Sequence, residues 1–207
     1  MSFSEEFAGL GRMLRATVCR QGVIRADAEL AQRLGEPESV PVFLLERVRF
    51  VDDEPMALQR SYIAHRHVPG IEGVDFGSAS LYEVLSGRFG LWIDHADERI
   101  VAGTADASAA ELLGVAPGSP VFEIERRSYQ RPQWLLELVD SVYRADRYEV
   151  RQDPQVIDGL PAQASLHGSP RHPRDRHGGD PRARAAPGRL SSRRATRTPA
   201  WRRVWIQ

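Results

Sequence analysis

The chain repeats itself. Residues 26–47 and 105–126 align without a gap at a fixed offset of 79, and eleven of the 22 positions are identical. The first copy carries Ala26-Asp27-Ala28, Ala31, Leu34-Gly35, Pro41-Val42-Phe43 and Glu46-Arg47. The second carries Ala105-Asp106-Ala107, Ala110, Leu113-Gly114, Pro120-Val121-Phe122 and Glu125-Arg126. A match this dense demands two structurally equivalent units in one domain.

Each copy reads as the same run of elements. A β-type stretch (Thr17 to Ile24; Arg99 to Thr104) leads to Asp27 or Asp106, whose carboxylate can cap a helix of two to three turns by accepting a backbone N–H. Gly35 or Gly114 ends that helix, where a left-handed residue costs little. Pro41 or Pro120 opens an alternating strand (Val42 to Val51; Val121 to Tyr129). A turn at Asp52-Asp53-Glu54-Pro55 or Gln130-Arg131-Pro132 then returns a second one (Met56 to Ile63; Trp134 to Tyr143). Between the copies, Ser80 to Phe89 spaces Leu81, Val84 and Leu85 along one helical face. The expected fold is α+β: an antiparallel sheet made of two similar halves with helices packed on it.

Overall charge misleads here. The formal net charge of zero is the sum of two unlike segments: from Pro154 onward there are 11 Arg and 3 Asp, whereas the preceding residues hold 17 Arg and 25 acids. The Arg- and Pro-rich segment 154–207 shows neither helical nor strand periodicity and is expected to be disordered. Its composition is also what an out-of-frame reading of a GC-rich gene produces, and Trp201 and Trp205 beside Arg202 and Arg203 leave a basic nucleic-acid arm as a third reading. The lone Cys19 excludes an internal disulfide and a cysteine-based zinc site. No apolar run is long enough for a membrane helix, and Glu5 and Glu6 stand where a secretory signal carries basic residues. The expected location is therefore cytoplasmic, with no membrane partner.

The segment Leu45-Glu46-Arg47-Val48-Arg49-Phe50, with Asp52-Asp53-Glu54-Pro55-Met56-Ala57-Leu58 and Ser61-Tyr62-Ile63, resembles the UTRA domain, the effector-binding module of the HutC branch of GntR-type transcription regulators. The likeness continues through Ser80-Leu81-Tyr82-Glu83-Val84-Leu85 and the second repeat to Glu137, Ser141, Tyr143-Arg144, Asp146-Arg147-Tyr148, covering about Ser2 to Asp153. It implies a chorismate-lyase-like fold, a linker-like segment over 1–15, a sensor over 16–153, homodimerisation through the sensor, and control of an N-terminal winged helix-turn-helix. The chain is expected to lack that head, so DNA is expected as a partner only through a missing N-terminal domain.

Site expectations follow from chemistry and resemblance together. Arg47 and Arg49 alternate on a strand and share a face, where two guanidiniums repel unless an anion lies between them. The resemblance implies that such an Arg-x-Arg pair holds the phosphate or carboxylate of an effector, bidentately; the competing reading is a solvated face partnered by Glu46 and Asp52. Gln59 stands where many relatives carry Glu. A neutral amide can still hydrogen-bond a ligand but disfavours a sugar-amine effector. Ser80 and Tyr82 start the middle helix, where free N–H groups favour an anion, or else they serve as cap and core. Glu137 and Tyr143 share one face of the last strand, opposite Leu136 and Leu138, and resemble the family's pocket acid and aromatic wall. Arg144, Asp146 and Arg147 read as a surface ion-pair cluster.

Nothing points to catalysis or a cofactor. His65, His67 and His95 have no nucleophile at motif spacing, His65-x-His67 is a weak metal pattern, and Asp52-Asp53-Glu54 reads as a solvated turn. The expected function is sensing of a small anionic metabolite, a sugar phosphate or carboxylate, that allosterically controls DNA binding in full-length relatives. A chorismate-lyase-like enzyme on the same fold and a nonfunctional gene remnant are the alternatives.

Overall fold

The two copies fold alike, down to individual hydrogen bonds. In the computed structural model, which describes residues 13–131, 133–153 and 165–170, Asp27 accepts from the Leu30 amide at 2.8 Å and Asp106 from the Ala109 amide at 2.7 Å. These carboxylates cap helices α1 (Ala28–Leu34) and α3 (Ala107–Leu113), which stop at Gly35 and Gly114 with φ of 68° and 64°. The following turns close with matching backbone bonds: Ala26 N–H to Val40 and Ala105 N–H to Ser119, then Ser39 N–H to Ala26 and Gly118 N–H to Ala105.

Six strands form one sheet in the order β1-β2-β3-β6-β5-β4, all antiparallel. They are β1 (Leu14–Arg25), β2 (Pro41–Val51), β3 (Glu54–Ala64), β4 (His95–Thr104), β5 (Pro120–Arg131) and β6 (Trp134–Arg144). Each unit contributes a three-stranded half, and the halves meet where β3 pairs with β6. Arg60 lies opposite Asp140 near the middle of that seam. The strands overrun their expected limits by up to four residues, as at β4, which starts at His95 instead of Arg99.

The two faces differ in what covers them. On one, α1 sets Ala31 and Leu34 against Val42 and Leu138, while α3 sets Ala109 and Leu113 against Val48 and Leu58. We call this the helix face. Helix α2 (Leu81–Phe89) covers one end of the other face, where Leu81 and Leu85 pack with Phe43, Leu45, Ile63, Ile71 and Phe76. The expected stripe is thus realised, with Val84 partly buried beside it. At the other end Tyr148 of β7 (Tyr148–Asp153) packs with Ala57, Ile124 and Tyr143.

Two features depart from the sequence reading, and a third lies in a segment it did not describe. Leu136 packs with Phe43 and Leu81 instead of joining Leu138 on the helix face, next to register shifts at Tyr129 that break the simple alternation of the β5–β6 ladder. The Gly- and Ser-containing segment 69–79 holds a short 3-10 turn at Ile71–Gly73 and buries Ile71 and Phe76. In the tail, Ser165–Pro170 forms a strand, β8, paired with β7. The other tail residues, and most of the linker-like segment 1–15, lie outside the described residues; Leu14 and Arg15 belong to β1. Among the described residues no helix is long and apolar enough to cross a membrane.

Candidate functional site

Between the two apolar clusters of the second face runs a band of polar side chains. Cross-strand partners in an antiparallel ladder share a face, so the register sets Arg47 beside Gln59, Gln59 beside Ser141, Arg49 beside Ala57 and Ala57 beside Tyr143. A row away, Leu45 adjoins Ser61, and Glu137 lies opposite Ser128. Arg47, Arg49, Ser61, Ser128, Glu137 and Ser141 are all buried.

Burial of charge dominates the electrostatics. Both guanidiniums hold their protons less tightly than usual, first because they are desolvated. For Arg49 the charge of Arg47 adds to this and brings it down to about 10. Arg47 retains only 7% of its surface, and among the described residues no hydrogen-bond or salt-bridge partner meets its guanidinium; the attraction it feels comes from Glu137. Glu46, proposed as a partner on a solvated face, points to the opposite side and pairs with Arg60 at 3.4 Å. Asp52 instead accepts from the Met13 amide.

Glu137 is the acid of the site. Burial pushes its carboxyl above the usual range, while the Tyr82 and Ser61 hydroxyls and the Arg126 and Arg47 guanidiniums pull the other way. Tyr82 donates its hydroxyl to Glu137 at 2.8 Å, and burial next to that acid holds the phenol well above its ordinary value. Gln59 donates its amide to the Tyr143 hydroxyl at 3.3 Å. The site therefore has a doubly cationic end at Arg47 and Arg49 and an acid–phenol end at Glu137 and Tyr82.

Six of the seven expected residues are brought together: Arg47, Arg49, Gln59, Tyr82, Glu137 and Tyr143. Ser80 takes the N-cap position of α2 without a side-chain capping bond, and no described contact ties its hydroxyl to the others. The sequence reading missed Arg126 and Ser128. Arg126 donates to Ser128 at 3.3 Å and to Glu98 at 3.3 Å, and its charge reaches Glu137 and Tyr82. The repeat could have found both, since they stand 79 positions after Arg47 and Arg49.

The remaining polar groups fall where expected. Asp52 and Asp53 make a tight turn with φ of 51° and 63°, and Arg144, Asp146 and Arg147 form ion pairs at the sheet end, with Glu54 joining them. His65 contacts Glu72, and no group of three or more metal-ligating side chains occurs among the described residues.

A sheet doubled about its own seam, with buried cations and an acid–phenol pair between two apolar clusters, defines an α+β domain of the chorismate-lyase-like type. Residues 9–149 match the family model described as the UTRA domain, and the chain belongs to that family. It is 29% identical over 147 residues to the HTH-type transcriptional repressor NagR of Bacillus subtilis, covering 71% of this chain and 60% of the relative. With the HTH-type transcriptional repressor PhnF of Mycolicibacterium smegmatis it shares 32% over 124 residues, 60% of this chain and 50% of that one. The chain thus spans only half to three fifths of these curated relatives. Among solved structures it superposes on the effector domain of PhnF from Mycobacterium smegmatis with a TM-score of 0.66 at 29% identity, covering 70% of this chain and 90% of that one. The C-terminal domain of the histidine utilization repressor of Pseudomonas syringae, at 21% identity, shares the fold with a TM-score of 0.62, covering 67% and 96%.

Proposed function

We propose that the domain senses a small anionic metabolite, a sugar phosphate or a carboxylate, which it binds between Arg47 and Arg49 on the sheet and the start of α2. The observation that carries this reading is the buried Arg47 guanidinium, which lacks a bonding partner among the described residues while sitting beside a second buried cation. A desolvated charge costs free energy unless it is paired, so an anion recovers more here than at a solvated surface. Gln59 and Tyr143 offer neutral hydrogen bonds beside the cations, and Glu137 with Tyr82 offers an acceptor for a ligand hydroxyl.

In this reading the protein binds and does not turn its ligand over, requires no cofactor, and works in the cytoplasm as a homodimer of the HutC type. Residues 16–153 form the sensor and 1–15 the approach from a DNA-reading head. Binding favours one of two dimer geometries, and only a ligand with different affinities for the two can shift that balance. Among the described residues the exposed strand β4 is an edge of the sheet, on which a second copy could add.

Calorimetric titration with inorganic phosphate, hexose phosphates and dicarboxylates tests the assignment. Saturable binding of at least one, lost in Arg49→Met, is the expected result. Binding unaffected by that change would place the site elsewhere. Incubation with chorismate should give no product, and turnover would replace sensing with catalysis.

A further inference from the structure

We infer that Gln21 is a positioning residue that straps the segment leading into α2 to strand β1, so that the two order together. The side-chain amide of Gln21 donates to two backbone carbonyls of that segment, Glu72 at 2.8 Å and Val74 at 2.7 Å. Both protons of one amide group are thereby spent on one turn. His65 holds the same turn from the end of β3, with Nε2 3.0 Å from Glu72 Oε2.

A bulge places Gln21 there. The β1–β2 register passes from Val18 opposite Arg47 to Gln21 opposite Leu45, with a shift between Val18 and Arg20. A regular ladder would have set Arg20 opposite Leu45 on the site face. The extra residue turns Arg20 away and brings a neutral amide donor inward instead, which is how a bulge re-aims a side chain. Val18, across from Arg47, packs on the cluster that contains Ile71 and Phe76, so β1 meets this segment by packing as well as by hydrogen bonds.

Downstream the segment runs straight into α2. Asp75 closes a turn by accepting from the Gly77 amide at 3.0 Å and the Ser78 hydroxyl at 3.0 Å, and its carbonyl accepts from the Ala79 amide. Ser80 and Tyr82 follow at once, and Tyr82 reaches Glu137. A continuous path of covalent and hydrogen bonds therefore links β1 to the acid–phenol end of the site. The second unit has no counterpart: 79 residues after Gln21 stands Ile100, on a strand that is exposed along most of its length. The strap belongs to the half of the domain that carries Arg47 and Arg49. Its consequence for sensing rests on the ligand reading above: a ligand that orders residues 71–82 would also order β1, the first strand of the domain.

Residue-resolved amide exchange on the full chain tests this without any ligand. In Gln21→Ala, the amides of Ile71, Val74 and Ala79 should exchange roughly tenfold faster while those of α1 and α3 keep their rates. Asp75→Ala, which loosens the turn from its other end, should speed exchange over residues 18–24 only when Gln21 is present. Unchanged exchange over 71–79 in Gln21→Ala would overturn the strap, as would an equal effect of Asp75→Ala on 18–24 in both backgrounds. Adding inorganic phosphate separates the two claims. Wild type should gain protection in both 18–24 and 71–79, and Gln21→Ala in 71–79 alone. If phosphate protects neither in wild type while the two variants behave as stated, the anion assignment fails and the strap stands.

Discussion

Tyr82 and Glu137, on different elements and 55 residues apart in the chain, share a 2.8 Å hydrogen bond in which the phenol donates and the carboxylate accepts. Helix α2 is fastened to the sheet by this contact. The carboxyl of Glu137 nonetheless sits above the ordinary carboxylate range because it is desolvated. Only between the ordinary carboxylate value and this raised one does the native state hold a proton that the unfolded chain has lost.

A pH dependence follows, with its sign fixed. Stability contributed by Glu137 is fully present below the ordinary carboxylate value and is lost as pH rises through the raised native value, with a slope of at most about 1.4 kcal/mol per pH unit. Glu125 and Asp146, whose carboxyls are lowered by arginine partners, work in the opposite direction. The comparison must therefore be made between wild type and Glu137→Gln. Denaturant melts from pH 4 to 8 should show Glu137→Gln gaining on wild type as pH rises, and a constant difference across that range would contradict the assignment.

On the helix face, Arg33 of α1 spans the seam between the halves by bonding both Glu125 and Asp140. These contacts hold the guanidinium more firmly protonated than usual. The group is about a quarter exposed, so screening weakens the pair only in part. Arg33→Ala should cost about 2 kcal/mol in urea melts and leave anion binding unchanged, because the site lies on the other face of the sheet. A loss of binding with intact stability would mean that the faces are coupled.

The repeat itself suggests a stabilising change. Ser39 and Gly118 occupy equivalent turn positions, with φ of 62° and 82°. Glycine adopts that conformation without cost and serine does not. Ser39→Gly should stabilise the domain by about 0.5 kcal/mol, with Gly118→Ser destabilising it by a similar amount, as read by thermal melting. Nothing lies within 4 Å of a Cβ added at Gly118, so its effect would be conformational and not steric.

Much of this was legible in the chain. The repeat at offset 79 announced the doubled sheet, the aspartate caps and the glycine stops, since each is a local demand of backbone geometry. The alternation of Arg47 and Arg49 announced their common face. What the letters hid were irregularities of the ladder. A bulge chooses Gln21 over Arg20, shifts near Tyr129 move Leu136 to the α2 side, and neither leaves a mark in composition. Arg126 was visible as the repeat partner of Arg47 but became a site residue only when the β3–β6 seam carried both halves onto one face. The pairing of Ser165–Pro170 with β7 was likewise silent, because a short polar strand has no periodicity strong enough to read.

The most direct test of the anion site compares wild type with Arg47→Met in thermal melts with and without inorganic phosphate. Removing a buried cation that has no hydrogen-bond partner among the described residues relieves desolvation and repulsion from Arg49 and forfeits mainly the attraction of Glu137, so the ligand-free variant should melt at or above the wild-type temperature. Phosphate should raise the wild-type Tm in a saturable way and leave the variant unmoved. A variant that melts well below wild type, or one that phosphate stabilises as much as wild type, would contradict the account.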